Sequence, residues 1–282
     1  MGRRMVLERL ARRWIAGVRL EEALARAKAE NERGVRAIIK YLGEHILYSS
    51  EVEAAKREYV ELLRAISGTG IDGCISVKPT QMGLRIDRQY CRENMIELAR
   101  AARDVGIFMW LDMENSKYTE DTISIYGYLL AEYREVGIAI QASLKRSSED
   151  IRNLTKTGAK IRLVKGAYPE SAEIAWTGKE DVDTKYVELM EYLFQNGDEF
   201  AIATHDYRII KRALELNSKW NKRIEFQMLL GIRDELKQRL LEGGCNVASY
   251  IPYGETWFPY SIRRIRERKR NILLVIRSLF GG

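Results

Sequence analysis

The chain has 282 residues, 46% of them hydrophobic and 31% charged, with four prolines. That supports a large folded core and excludes disordered and collagen-like chains, while the aliphatic runs fall far short of the roughly 20 apolar residues a membrane span needs. The net charge of +7 admits anionic partners without choosing one.

Rare residues exclude more. Cys74, Cys91 and Cys245 are widely spaced and form no CxxC, which argues against a disulfide framework or zinc knuckle. His45 and His205 are the only histidines and form no HExxH, so no His-based metal site is expected. The Arg-rich start is interrupted by Glu8, Glu21 and Glu22 and lacks Ser, unlike a transit peptide. The expectation is an intracellular protein, soluble or peripheral to a membrane.

Residues 1–34, rich in Ala, Glu and Arg, read as an N-terminal helical arm. From 35 onward β-branched runs alternate with amphipathic ones. Strands are predicted at 35–41, 73–77, 107–113, 137–142, 160–166, 199–204, 223–228 and 246–251. The intervening helices fall at 51–66, 88–105, 119–135, 148–157, 181–195, 207–216, 233–241 and 256–270. Strand–helix alternation implies a parallel sheet, and eight such units in about 250 residues match an α/β, TIM-type (β/α)8 barrel. Residues 35–282 are therefore expected to form one catalytic barrel, its final helix over the mouth. Gly68-Thr-Gly70-Ile-Asp-Gly73 matches GxGxxG in letters only. A dinucleotide fingerprint follows a strand and opens a helix, and here the order is reversed, so a helix-to-strand turn is expected.

Polar residues end the predicted strands: Lys78, Asp112, Gln141, Lys165, Thr204-His205-Asp206, Gln227 and Tyr250. Any one of them alone reads as a satisfied loop residue. A parallel barrel gathers all these strand ends at its mouth, where active sites of this fold lie. Tyr260, Arg263, Arg264 and Glu267 then fall at i, i+3, i+4 and i+7 on one helix face. Such a stripe suits an exposed ion-paired face or a polar cavity in which two guanidiniums grip one carboxylate.

On these residues the sequence resembles the proline dehydrogenase family, from about Trp14 onward. The motifs are Arg162-Leu-Val-Lys165-Gly-Ala-Tyr168, Ala203-Thr-His205-Asp and Glu225-Phe-Gln227-Met-Leu. Tyr250-Ile-Pro-Tyr-Gly254 completes them, followed by Trp257, Tyr260, Arg263-Arg264 and Glu267. The resemblance implies a single-activity, FAD-dependent barrel that oxidises L-proline to 1-pyrroline-5-carboxylate. The implied hydride transfer is from C5 to flavin N5, with the electrons going on to a quinone. It further implies that Lys78, Arg263 and Arg264 hold the substrate carboxylate and that Tyr250 and Tyr260 line the proline ring. By the same resemblance Asp112 would be the active-site acid, and Arg162 would lie near flavin N5. Met113, Gln141, Lys165, Gly166, Ala167, Thr204, His205 and Glu267 join Arg162 as the cofactor set. As an orienting group, Asp112 is expected to hold Tyr250 or an arginine rather than act as the base.

A regular pleat puts Arg162 and Lys165 on opposite faces unless Lys165 lies beyond the strand. Two other classes stay open from the residues alone. Lys165 could form a Schiff base in a barrel aldolase, and the basic 263–270 stretch could bind nucleic acid, although no reader motif accompanies it. The same stretch with the apolar 272–280 tail could lie on an anionic membrane, pack under the barrel or make a subunit contact. A cytoplasmic protein, peripheral on the inner face of the cell membrane, is the corresponding location.

Overall fold

A computed structural model describes residues 12–262. Among the described residues helix α1 (Leu20–Asn31) precedes eight strands alternating with seven helices: β1 (Arg36–Tyr41), α2 (Ser49–Thr69), β2 (Gly73–Val77), α3 (Arg88–Asp104), β3 (Met109–Leu111) and α4 (Thr119–Glu132). They continue through β4 (Val136–Gln141), α5 (Ser147–Lys156), β5 (Lys160–Val164), α6 (Lys179–Asn196), β6 (Glu199–Ala203), α7 (Tyr207–Trp220), β7 (Arg223–Leu229), α8 (Asp234–Glu242) and β8 (Asn246–Tyr253). All neighbours pair in parallel, and β8 closes on β1, from Arg36↔Ala248 to Tyr41↔Tyr253. The barrel and its strand order are those the alternation predicts.

Period-two patterning sorts each strand between two cores. Outward residues such as Ala37, Ile39, Ile75, Ile161 and Leu163 join the helices in the main apolar layer. Full burial of an aliphatic side chain there contributes about 1.5–3 kcal/mol. Inward residues Ile38, Cys74, Trp110, Ala201 and Ala248 form a smaller cluster on the barrel axis. Gly137 on β4 is needed beside it, because a Cβ there would collide with the Trp110 ring. Gly70 caps α2 in the left-handed region, φ +67°, before β2 begins at Gly73. The GxGxxG letters are thus a helix-to-strand turn.

Boundaries differ by two residues at three strands, of which the fifth, predicted to 166, ends at Val164. The third is predicted at 107–113 but pairs only over Met109–Leu111, and the chain beyond Asp112 turns away to build the mouth. The eighth runs past its predicted end to Tyr253, because neighbouring backbone supplies partners there. Pro252, which has no N–H, accepts from Ala16 N at 2.8 Å, and Tyr253 O accepts from Leu42 N at 2.7 Å.

Helix α1 lies against β1 and β8 on the outside of the barrel, with Ala23 and Ala27 buried in the main core. Buried Glu30 accepts from Ser249 Oγ on β8 at 2.5 Å, and Lys237 of α8 donates to the same hydroxyl at 3.0 Å. These bonds fix α1 in the groove where a barrel's last outer helix usually packs. The chain after β8 instead starts a helical stretch at 257–262. There Trp257 and Tyr260 pack with Trp14, Ile15 and Leu42. Arg263, Arg264 and Glu267 lie outside the described residues.

Candidate active site

Loops following the strands surround a cavity of about 2400 Å³ at the mouth, well above the roughly 300–1,000 Å³ of an ordinary small-ligand pocket. Lys78, Asp112, Met113, Gln141, Arg162, Lys165, Gly166, Ala167, Thr204, His205, Tyr250 and Tyr260 all line it. Side chains far apart in sequence are therefore brought to one surface.

Arg162 occupies the centre because of its strand neighbours. It points inward from β5, and its ladder partners are Ala139 on β4 and Ala201 on β6. Two alanines leave room for a guanidinium that larger residues would fill. The group stacks on the rings of Trp110, at 4.5 Å, and Tyr250, at 5.7 Å. Its Nη1 donates to Asp112 Oδ1 at 2.8 Å and to Ser76 Oγ at 3.1 Å. Nε and Nη2 are buried and find no hydrogen-bond partner among the described residues.

Asp112 is the hub of this cluster. Its Oδ1 also accepts from Ser76 Oγ at 2.7 Å, and its Oδ2 accepts from Tyr250 OH at 2.7 Å. Burial alone would raise its pKa. The charges of Arg162 and Lys40 and the bonds from Tyr250 and Ser76 outweigh burial and hold it below the usual carboxylate value. Burial and the Asp112 charge push Tyr250 the other way, well above an ordinary phenol. Asp112 therefore stays an anion and Tyr250 a neutral donor, and neither is tuned to act as a base near neutral pH.

Lys78 leaves β2 toward Glu44, with which it pairs, and Tyr168 OH, 3.2 Å away. Burial opposes its charge, but Tyr168 and Glu44 prevail and raise its pKa. Gln141 Nε2 donates to the Glu114 carbonyl at 2.7 Å, and His205 Nε2 accepts from Leu229 N at 2.9 Å. Gly166 has φ +113°, and a Cβ there would collide with Ser143. Glu44, His45 and Glu114 come close enough to suggest a cation site. Glu44 pairs with Lys78, however, and both Glu114 oxygens accept from Thr80, at 2.9 and 2.6 Å.

Lys165 lies one residue past the end of β5 and so escapes the pleat that separates it from Arg162. Its ammonium pairs with Asp183 on α6 and, at 3.0 Å, with Asp206 before α7. That arrangement suits a fixed cation better than a Schiff-base amine, which must be neutral to attack. Ser76, Trp110, Glu44 and Lys40 were not singled out from the sequence. Parity carried a usable signal: Ser76 and Trp110 precede Lys78 and Asp112 by two residues, and so share their faces.

Comparison with known proteins agrees with this geometry. Residues 23–273 match the sequence profile of the family described as Proline dehydrogenase. Proline dehydrogenase 1 of Bacillus subtilis subsp. natto is 35% identical over 272 residues, 95% of this chain and 90% of that protein. Proline dehydrogenase of Deinococcus radiodurans is 33% identical over 281 residues, 97% of this chain and 91% of its own length. The crystal structure of proline utilization A from Bdellovibrio bacteriovorus, inactivated by N-propargylglycine, matches with a TM-score of 0.85 at 26% identity. The match covers 90% of this chain and 32% of that longer one. A profile spanning residues 23–273 and single-activity relatives matched over about nine-tenths of their length lead to one conclusion: this chain belongs to the proline dehydrogenase family.

Proposed function

We propose that this enzyme oxidises L-proline to 1-pyrroline-5-carboxylate with FAD as its cofactor and passes the electrons to a quinone. Membership of the family supports the oxidation. The observation that carries the cofactor is the pair of buried, unpartnered donors Nε and Nη2 on Arg162, since a buried donor left unbonded costs about 1–3 kcal/mol. An electron-rich heterocycle with several acceptor atoms satisfies them, and the size of the cavity admits a dinucleotide beside a small substrate. The donor set therefore fits a flavin.

In this reading Met113, Gln141, Arg162, Lys165, Gly166, Ala167, Thr204, His205 and Glu267 hold the cofactor. FAD, when bound, supplies the acceptor for the hydride leaving the proline ring. The chain's own residues bind, orient and balance charge. Lys78, with Arg263 and Arg264, holds the substrate carboxylate. Tyr250 and Tyr260 confine the ring, and Asp112 fixes Tyr250 and Arg162 in register. The Arg162 cation favours negative charge developing beside it during oxidation. The substrate amine must lose its proton before or during the step, so the rate should rise into mildly alkaline pH.

Location at the inner face of the cell membrane accompanies the quinone. Leu47, Tyr48 and Ile86 are exposed in segments that follow strands, and Phe258 is exposed on the helical stretch after β8, on the mouth side, and among the described residues no helix is long and apolar enough to cross a membrane. The decisive experiment is an absorption spectrum of the purified protein before and after anaerobic L-proline. Flavin bands that bleach are the expected result. Bands unmoved by proline would remove the substrate assignment, and no flavin after adding FAD would remove the cofactor.

A further inference from the structure

Lys40 takes no part in the chemistry above, yet it lines the cavity with 2% exposure. It points inward from β1, where the ladder brings Ile39 opposite Ile75 and so sets Lys40 beside Ser76. Its Nζ donates to two neutral oxygens, Tyr59 OH at 2.9 Å and Gln81 Oε1 at 2.8 Å. Tyr59 OH in turn donates to the Ser76 carbonyl at 2.9 Å, and Ser76 Oγ donates to Asp112 Oδ1. The cage suits either protonation state: a neutral amine has two N–H groups for these two acceptors, and an ammonium has one more.

We propose that Lys40 is a positioning residue that titrates inside the site and sets, through Asp112, the affinity for the substrate carboxylate. With Lys40 protonated, the Lys40–Asp112–Arg162 cluster carries +1, and with Lys40 neutral it carries zero. The first state favours an anionic ligand and leaves Asp112 shared between two cations. In the second, Arg162 and Tyr250 are its remaining strong partners.

The charged groups around Lys40 are consistent with a change of state near neutrality. Asp112 and Glu114 follow β3, Glu44 follows β1 and Lys78 follows β2, while Tyr59 comes from α2, Tyr250 from β8 and Arg162 from β5. Burial is the largest influence and lowers the Lys40 pKa, Asp112 opposes it, Lys78 adds to it, and the balance lies at about 7.

The inference rests on the proline oxidase reading, and its test separates the two. The probe is tetrahydrofuran-2-carboxylate, a proline-shaped anion without a titrating amine, with binding read from the flavin spectrum between pH 6 and 9. Wild-type affinity should fall about tenfold as Lys40 loses its proton, the scale of one nearby charge. K40M should show the weak affinity at every pH, and K40R the strong one. When Lys40 is gone, the single Tyr59 proton can turn from the Ser76 carbonyl to Gln81 Oε1, 3.1 Å away.

A second readout needs no ligand. A lysine whose folded pKa lies below its unfolded value destabilises the fold fully at pH 7 and below, and the penalty fades as pH rises toward 10.4. K40M should therefore melt above wild type at pH 6, with the difference closing by pH 10. An affinity step that persists in K40M, or its absence from the wild type, overturns the role of Lys40 alone. Failure of the probe to bind flavin-loaded protein at any pH overturns the oxidase reading with it.

Discussion

Both ends of the barrel are rich in charge, and they use it differently. At the foot, Arg36 bonds to Asp72 at 2.9 Å and Glu225 at 2.8 Å, and Lys160 bonds to Glu135 at 2.6 Å. Cations there meet carboxylates from other strands and from loops around a recess of about 340 Å³. At the mouth, Asp112 gathers Arg162, Ser76 and Tyr250, yet Arg162 keeps two buried donors without partners beside a cavity of about 2400 Å³. Foot charges are partly solvated, where an ion pair is worth about 0–1 kcal/mol. Mouth charges are buried, where removing one partner of a pair costs about 3–5 kcal/mol. The foot closes the barrel, and the mouth holds binding capacity that the fold itself does not consume.

Substitutions at the two ends should separate accordingly. The largest effect is expected for R162M, which should lower kcat/KM for proline at least ~1,000-fold and abolish flavin retention. Replacing a buried ion pair member by an apolar side chain between Ala139 and Ala201 tests fold and function apart: circular dichroism should still report a folded barrel. Flavin retained at wild-type stoichiometry would show that the orphaned donors have another purpose.

D112N should rank second, with about 100-fold lower kcat/KM and a stability loss of about 3 kcal/mol from the uncompensated Arg162 charge. The pH course of that loss is fixed by sign. The folded pKa of Asp112 lies below its unfolded value, so its stabilisation is complete above about pH 5. It fades only as pH falls through the depressed folded value. Urea midpoints of wild type and D112N should stay apart from pH 8 to 5, the gap widening below pH 7 as Lys40 gains its charge, and converge below about pH 4. Convergence already at pH 6 would contradict an ionised Asp112.

Y250F removes one hydrogen bond to a carboxylate, worth about 1.5–3 kcal/mol, and should cost kcat/KM about tenfold or somewhat more while KM rises. The smallest effect is expected at the foot. R36M should change stability by about 1 kcal/mol or less and leave kcat/KM within twofold. A large kinetic loss in R36M would erase the distinction between the two ends.

Much of this was legible in the chain. The eight-fold alternation gave the barrel, because helices and strands bury apolar residues at different periods. The polar strand ends gave the mouth, because parallel strands deliver their C-terminal ends to one side. Less legible was α1: nothing in an Ala-rich helix with a single inward Glu30 says which groove it fills, and its place depends on Ser249 and Lys237 far along the chain.

Sequence by itself determined the repeat, its direction and the inventory of cations and carboxylates at the mouth, since these follow from local periodicity and chain order. Tertiary structure decided which of them meet. Arg162 turns inward because Ala139 and Ala201 flank it, and Trp110 lies beneath it because Gly137 has no side chain. Lys165 turns to Asp183 and Asp206 because β5 has already ended. Lys40 joins the site through a ladder register that places it beside Ser76. Register and the volume of neighbours are properties of paired strands, and no single strand carries them.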